Sequence, residues 1–373
     1  MDSNSDPQTA RIHRLANTLI NQIAAGEVVE RPASVVKELI ENSVDAGATE
    51  IRVWVERGGV KLIRIADNGH GIARRDLILA TERHATSKLS DLEDLSGIET
   101  LGFRGEALPS VASVSRLGIK SRVADTDSGW EISGEGGAFS APVPTSCEKG
   151  TVVVVEDLFF NTPARRKFLR TEKTDRSHIE RVFKCLALAT PGVSFSLSID
   201  KKLYWQLPEV DSALQSHRIK KILGQEFTDN SKQITGRASG ISLTGWLGLP
   251  AYSRSQADRQ YLFVNGRVVK DVSLSHAVRR AYADVLYRGR HPAYVLDVKV
   301  DPITIDVNVH PSKNEVRFED ARLVHDFLYR EVAQATTDTR AGSNFASNKS
   351  NWSASSFDLH SIEASKTFQR GLS

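Results

Sequence analysis

Between Arg31 and Val55 the apolar residues change their period, and that change limits the folds open to the chain. Val35, Val36, Leu39, Ile40 and Val44 recur at three- and four-residue intervals, the stripe of a helix with one buried face. Pro32 suits the first turn of such a helix, where N–H groups have no intrahelical partner, and Gly47 suits its end. Ile51, Val53 and Val55 then alternate, as in a strand buried on one face. Residues 62–66 and the β-branched run 151–155 read as two more strands. The segment to about residue 210 thus mixes strong helix and strand patterns. Two further helices are predicted, one from near Glu106 and one over 175–189.

The stretch 205–209, Trp-Gln-Leu-Pro-Glu, reads as a connector, and a second αβ unit follows it. In that unit the pattern predicts a helix at about 213–222 and strands near 232–237, 241–247 and 260–265. Asn265-Gly266 is a hairpin-turn signal, because both residues tolerate positive φ. A helix at 272–286, strands at 293–300 and 303–309 and a last helix at 320–335 complete the unit. From 336 to 373 the composition turns to Ser, Thr, Asn and Gly, which predicts a disordered linker leading to something further in a longer parent chain. The first 13 residues read as a flexible extension to which no role is assigned.

Charge excludes one simple idea. Lys and Arg number 49 against 46 Asp and Glu, a net charge of +3, so no global basic field marks a nucleic-acid binder. Any such affinity must be local, and two clusters qualify: Arg165, Arg166, Lys167 and Arg170, and Arg279, Arg280, Arg288 and Arg290. No apolar run approaches the roughly 20 residues of a membrane helix, and the N-terminus lacks a secretory core. Two distant cysteines, Cys147 and Cys185, fit reduced thiols in a cytoplasmic protein.

Four short strings carry the chemistry. In KELIENSVDAG, Glu38, Asn42 and Asp45 lie at i, i+4 and i+7 and share one helix face. Glu38 can polarise a water, and the Asn42 amide oxygen suits magnesium, a hard cation that keeps several waters of its own. Asp67-Asn68-Gly69-His70-Gly71 ends a strand with an acceptor-only carboxylate, suited to an exocyclic amine, and glycines that allow close backbone approach. Residues 101–108, LGFRGEAL, feed glycines into a helix start, where free N–H groups meet phosphate. No Walker-type G-x-x-x-x-G-K-[ST] string occurs. The small polar segment 83–88 reads as a loop or part of a mobile lid. Gly150-Thr151 is the fourth string.

Their order is more specific than any one of them. Helix E-x-x-x-N, then D-x-G-x-G, then G-x-R-G-E, then G-T resembles the ATP site shared by DNA gyrase B, the ninety-kilodalton heat-shock chaperone, histidine kinases and MutL. Longer strings are similar to the mismatch-repair branch of that family: residues 21–29 (NQIAAGEVV), 31–39 (RPASVVKEL), 84–88 (HATSK), 102–108, 161–168 (NTPARRKF), 264–267 (VNGR) and 306–313 (DVNVHPSK). The resemblance covers roughly residues 14–335.

It implies an α+β fold: a two-layer α/β sandwich of the Bergerat ATPase type over 14–210, then a domain like domain 2 of ribosomal protein S5 over 211–335. It also implies ATP and Mg²⁺, with Glu38 as general base, Asn42 as metal ligand and Asp67 on the adenine amine. Gly71 would line the base pocket and Thr151 would support Asp67. Thr86, Lys88, Gly102, Phe103, Arg104, Gly105, Glu106, Ala107 and Leu108 would form the lid, and Lys313 would reach the γ-phosphate from the second domain. One carboxylate, one metal and one lysine, without an arginine finger, predict slow hydrolysis and a switch more than a turnover engine. The expected partners are a second copy of the chain, a mismatch-recognition protein of the MutS type, and DNA bound without sequence preference through Arg165, Arg166, Lys167 and Arg267. No nuclease activity is expected of this chain. Two alternatives share parts of the pattern: a type II topoisomerase-like ATPase subunit, and a DNA-binding scaffold with a structural ATP site.

Overall fold

The computed structural model describes residues 17–88, 91, 98, 100–102, 105–211, 215–307 and 316–337. The stripe read from sequence forms helix α2 (Pro32–Asp45), preceded by α1 (Asn17–Val28). Val35, Val36, Leu39 and Ile40 are all buried. Strands β1 (Glu50–Glu56), β2 (Leu62–Asp67), β3 (Arg116–Arg122), β4 (Gly129–Glu135), β5 (Ala138–Phe139), β6 (Val143–Thr145), β7 (Gly150–Glu156), β8 (Ser194–Ile199) and β9 (Lys202–Leu207) make one sheet. Its order is β5-β4-β3-β7-β2-β1-β8-β9, with β6 paired to β4. The β1–β8 pair is parallel, and the other pairs in this sheet are antiparallel.

One face of the sheet is apolar and one is not. Ile51, Val53, Ile63, Ile65, Val153 and Val155 point into a core closed by α2 and by α5 (Glu172–Ala189), whose Ile179 and Phe183 are fully buried. On the opposite face Arg64 lies over Trp54 at 4.7 Å. The result is two layers, helices on one side of a mixed sheet, with α3 (Ala107–Ser113) and α4 (Pro163–Phe168) as short additions.

The connector expected at 205–209 is corrected by β9. Trp205 and Leu207 belong to the edge strand, and Leu207 is fully buried against the core. Alternation over 202–207 was the signal; the polar and aromatic residues between obscured it. The edge it forms leaves Leu203 and Tyr204 exposed, with the Arg176 guanidinium 4.0 Å from the Tyr204 ring and Lys184 4.5 Å from Trp205.

The second unit begins with α6 (Gln215–Leu223) and α7 (Gln225–Asp229). Strands β10 (Ser231–Ala238), β11 (Ile241–Gly248), β12 (Gln260–Val264), β13 (Arg267–Val268) and β14 (Tyr294–Lys299) form a sheet in the order β10-β11-β14-β12-β13. Helices α8 (Val272–Ala281) and α9 (Ala321–Thr337) pack together over a core that includes Leu243, Leu262, Leu296, Leu274 and Phe327. Asn265 (φ 49°) and Gly266 (φ 76°) are both left-handed, as the hairpin between β12 and β13 requires. Helix α8 ends five residues before the expected 286, because the chain turns at Tyr282, whose buried hydroxyl donates to the Gly248 carbonyl at 2.7 Å. The strand expected over 303–309 shrinks to β15 (Ile305–Asp306), paired with β16 (Arg317–Phe318); residues 308 and 309 lie outside the described residues.

Arg218 of α6 fastens the two units. It is 2% exposed, and its guanidinium donates to the carbonyls of Ala187 (2.8 Å), Thr190 (3.0 Å), Val193 (2.8 Å) and Pro208. Burial pushes its pKa down to about 10. Those carbonyls come from the end of α5 and both flanks of the β8–β9 hairpin, and all but that of Thr190, which also accepts from the Val193 N–H, are groups the helix and sheet leave open.

Candidate functional site

The end of β2 and the C-terminal half of α2 meet. Asp67, the last residue of β2, accepts from Ser43 Oγ at 2.9 Å, from the Gly69 N–H at 2.9 Å and from the Thr151 N–H at 3.2 Å. Burial raises the Asp67 pKa above the usual carboxylate range, and these donors oppose the shift. Thr151 faces Asp67 in the β2–β7 register. Its hydroxyl lies 2.9 Å from Ser121 Oγ, which also bonds the Gly150 carbonyl (2.9 Å) and the Ile72 N–H (2.7 Å). Ser121 thereby ties β3, β7 and the loop after Gly71 into one wall.

Two glycines permit that closeness. Gly71 has φ +78°, and a Cβ there would stand 2.4 Å from the Arg122 carbonyl oxygen. Gly150 has φ +114°, and a Cβ there would stand 2.0 Å from the Asp67 carbonyl oxygen. Both positions require glycine for conformation and for space.

On α2, Glu38 and Asn42 are half-buried one helical turn apart, and Asp45 continues the same helix face. Lys88 reaches in from the 83–88 loop. Its ammonium donates to Asn42 Oδ1 at 2.8 Å and to Asp45 Oδ2 at 2.6 Å. The Asp45 carboxylate also accepts from the N–H groups of Leu101 (2.8 Å) and Gly102 (2.9 Å). One side chain on α2 therefore holds Lys88 and the main chain at Leu101 and Gly102 together. Gly102 packs against the Lys88 ammonium, where a Cβ would come within 3.1 Å of Nζ. Gly105 (φ +62°) sits on the Ala85 carbonyl, 2.5 Å from an added Cβ, so Gly102 and Gly105 both lie against the 85–88 segment. Thr86 is exposed, its hydroxyl accepting from the Lys88 N–H at 3.2 Å. Glu106, Ala107 and Leu108 open α3.

The structure thus brings Glu38, Asn42, Asp67, Gly71, Thr86, Lys88, Gly102, Gly105, Glu106, Ala107, Leu108 and Thr151 to one region. Phe103, Arg104 and Lys313 lie outside the described residues. Sequence reasoning gave no role to Ser43, Ser121 or Asp45. Ser43 was legible as a polar residue inside the buried stripe of α2, and Asp45 as the third member of its polar face; Ser121 left no signal.

The basic candidates separate. Arg166 and Lys167 are exposed on α4, beside a Phe168 that is 83% exposed. Arg165 is half-buried: it donates to the Val29 carbonyl at 3.1 Å and lies over Gly26, where a Cβ would collide with it. Arg267 is turned away from solvent. It is 6% exposed, and its guanidinium donates to the carbonyls of Leu101 (3.3 Å), Ile98 (3.4 Å) and Thr100. The hairpin turn that made the VNGR string legible also turns this arginine inward. Among the described residues no group of three or more His, Cys, Asp or Glu side chains could hold a metal, and no helix is long and apolar enough to cross a membrane.

Comparison with known proteins agrees with this geometry. A family model described as histidine kinase-, DNA gyrase B-, and HSP90-like ATPase matches residues 30–132, and one described as DNA mismatch repair protein, C-terminal domain, matches 219–337. DNA mismatch repair protein MutL of Chromohalobacter salexigens is 53% identical over 335 residues, 89% of this chain and 52% of that protein. MutL of Pseudomonas fluorescens is 54% identical over 333 residues, 89% of this chain and 53% of that protein. The chain spans about half the length of these curated relatives. The ADP complex of the Aquifex aeolicus MutL ATPase domain superposes with a TM-score of 0.58 at 27% identity, covering 82% of this chain and 99% of that one. A solved N-terminal domain of a DNA repair protein superposes with a TM-score of 0.74 at 24% identity over 87% of this chain, and shows the fold.

Fold and site define a nucleotide-binding unit of the gyrase, heat-shock chaperone and histidine kinase class, followed by an S5-like αβ unit. Within that class the chain belongs to the MutL family of DNA mismatch repair proteins and corresponds to their N-terminal ATPase region.

Proposed function

We propose that this region binds ATP with Mg²⁺ between β2 and α2 and hydrolyses it slowly, as a switch in mismatch repair. The observation that carries the reading is the Asp67 carboxylate, half-buried at a strand end and fixed by Ser43, Gly69 and Thr151. Oδ1 takes both main-chain donors and Oδ2 takes Ser43 alone, so Oδ2 retains acceptor capacity for the exocyclic amine of adenine. Gly71 leaves room for the base, and Thr151 holds Asp67 in register.

The donor set suits magnesium. Asn42 Oδ1 takes an ammonium at 2.8 Å, so this hard oxygen is turned into the site and accepts a cation. Asn42 would hold the ion, which supplies charge neutralisation at the phosphates. Glu38, one turn before Asn42 on the same face, would take the proton of the attacking water. Thr86, Lys88 and residues 102–108 would enclose the phosphates, with Lys313 contributing from the second unit. Lys88 leaves Asn42 and Asp45 as the phosphates arrive and exchanges carboxylate and amide oxygens for phosphate oxygens.

Closure of this lid would order the N-terminal helix region and let two copies associate, and a mismatch-recognition protein of the MutS type would act on that dimer. Arg166 and Lys167, with Arg165 in part, would meet DNA phosphates without reading bases. The action is cytoplasmic, at the nucleoid. The resemblance to mismatch-repair relatives over 89% of the chain favours this reading over a topoisomerase-like subunit or a scaffold with a structural ATP site. Titration calorimetry of the intact chain with Mg²⁺ and a non-hydrolysable ATP analogue tests it: one site per chain is expected, and no heat of binding overturns it.

A further inference from the structure

We propose that Arg267 is a positioning residue that couples the second unit to the nucleotide site through the backbone of Ile98 and of Thr100, Leu101 and Gly102. The functional half of this inference rests on the ATP reading above; the structural half does not.

The backbone at Ile98 and at Thr100, Leu101 and Gly102 is gripped from both sides with opposite chemistry. Its carbonyls face the second unit: those of Ile98, Thr100 and Leu101 accept from the Arg267 guanidinium, which β13 presents after the Asn265-Gly266 turn. Its N–H groups face the first unit: those of Leu101 and Gly102 donate to the Asp45 carboxylate at 2.8 and 2.9 Å. The Thr100 hydroxyl donates to the Gly102 carbonyl at 2.9 Å and stiffens the turn between the two grips. Asp45 in turn holds the Lys88 ammonium, which rests on Asn42 Oδ1. The chain of contacts runs Arg267, these peptide groups, Asp45, Lys88, Asn42. A fork-shaped donor is needed here, because one guanidinium spans several carbonyls and an ammonium cannot. Burying that guanidinium costs desolvation that its carbonyl partners offset only in part, so the contact is specific to this arrangement of the two units.

The consequence is mechanical. A shift of β13 relative to α2 pulls these carbonyls, and the adjoining peptide groups carry the N–H donors of Asp45. Asp45 then loses donors, and its hold on Lys88, and Lys88's on Asn42, changes with it. Linkage makes the effect reciprocal: nucleotide that rearranges Asn42, Asp45 and Lys88 changes the preferred position of the second unit.

Amide hydrogen exchange on the full chain without nucleotide tests the structural half. Arg267→Met, which keeps length and removes donors, should speed exchange at Leu101 and Gly102 by about tenfold or more, the effect of losing a hydrogen bond to a charged group. Amides of β1 and β2, such as Val53 and Ile65, should keep their protection. Arg267→Lys, also the variant to use if the methionine substitution does not fold, should give an intermediate acceleration at the same two amides. Unchanged exchange at Leu101 and Gly102, or an equal loss of protection across β1 and β2, overturns the proposal. Binding of a non-hydrolysable ATP analogue tests the functional half: Arg267→Met should weaken it about tenfold, with partial recovery in Arg267→Lys. If the unaltered chain binds no nucleotide, the ATP reading fails while the exchange result still decides the coupling.

Discussion

Thr151 donates its main-chain N–H to the Asp67 carboxylate at 3.2 Å from the directly opposing position on β7. With Ser43 and Gly69 it fixes a carboxylate that the fold would hold more cheaply uncharged, since burial raises the Asp67 pKa. For an acid shifted upward, stability is fullest at low pH and falls as the pH climbs through the carboxylate range. Asp67→Asn keeps an acceptor for Gly69 and Thr151 and gives Ser43 a donor. We expect this variant to lose ATP binding and yet unfold at the same or a higher temperature than the unaltered chain at pH 7. Melting curves at pH 7 and pH 4 check the sign: the stability advantage should shrink at the lower pH.

Glu38 lies one helical turn before Asn42, so its removal should separate chemistry from binding. Glu38→Ala should lower ATP turnover by at least about a hundredfold, the usual contribution of a positioned base. Analogue affinity by calorimetry should stay within about threefold of the starting value. A variant that turns over ATP normally removes Glu38 from the mechanism.

The exposed pair Arg166 and Lys167 supplies the DNA prediction. If each meets one phosphate, the double change to Glu lowers the slope of log affinity against log salt by about 2 and weakens binding to all sequences alike. Fluorescence anisotropy at several salt concentrations measures it, and an unchanged slope assigns the contact elsewhere. Arg267, enclosed by the carbonyls of Ile98, Thr100 and Leu101, contributes no contact of its own to that slope.

Arg218 carries the stability of the junction between the units. Arg218→Met strands the carbonyls of Ala187, Val193 and Pro208, and each buried unsatisfied acceptor costs about 1–3 kcal/mol. We expect a loss of roughly 3 kcal/mol or more by urea unfolding.

The sequence made the helices and central strands readable because their apolar periods are set by burial on one face: Val35 to Ile40 and Ile51 to Val55 are buried where the period placed them. The ATP site was readable as an order of strings, since glycines at 71 and 150 answer local demands of φ and space. What escaped was long-range. Nothing near Arg267 in sequence shows that its fork closes on carbonyls 166 to 169 residues away. Asp45 offered only its place on a helix face, and its role depends on a loop that returns to it from 56 residues further on. Edge strand β9 escaped because Lys202, Tyr204 and Gln206 dilute its apolar alternation.

That edge strand also bears on how the molecule behaves in a crowded solution. A terminal strand with an open ladder side and a protruding leucine and tyrosine is a template for stray pairing. Arg176 and Lys184, both rising from α5, lie across the Tyr204 and Trp205 rings and share Glu180 between them, which leaves a net positive charge at the rim of the sheet. A second identical rim approaching it meets like charge before it meets hydrogen-bond partners, so the helix that closes the core also guards the sheet against clumping.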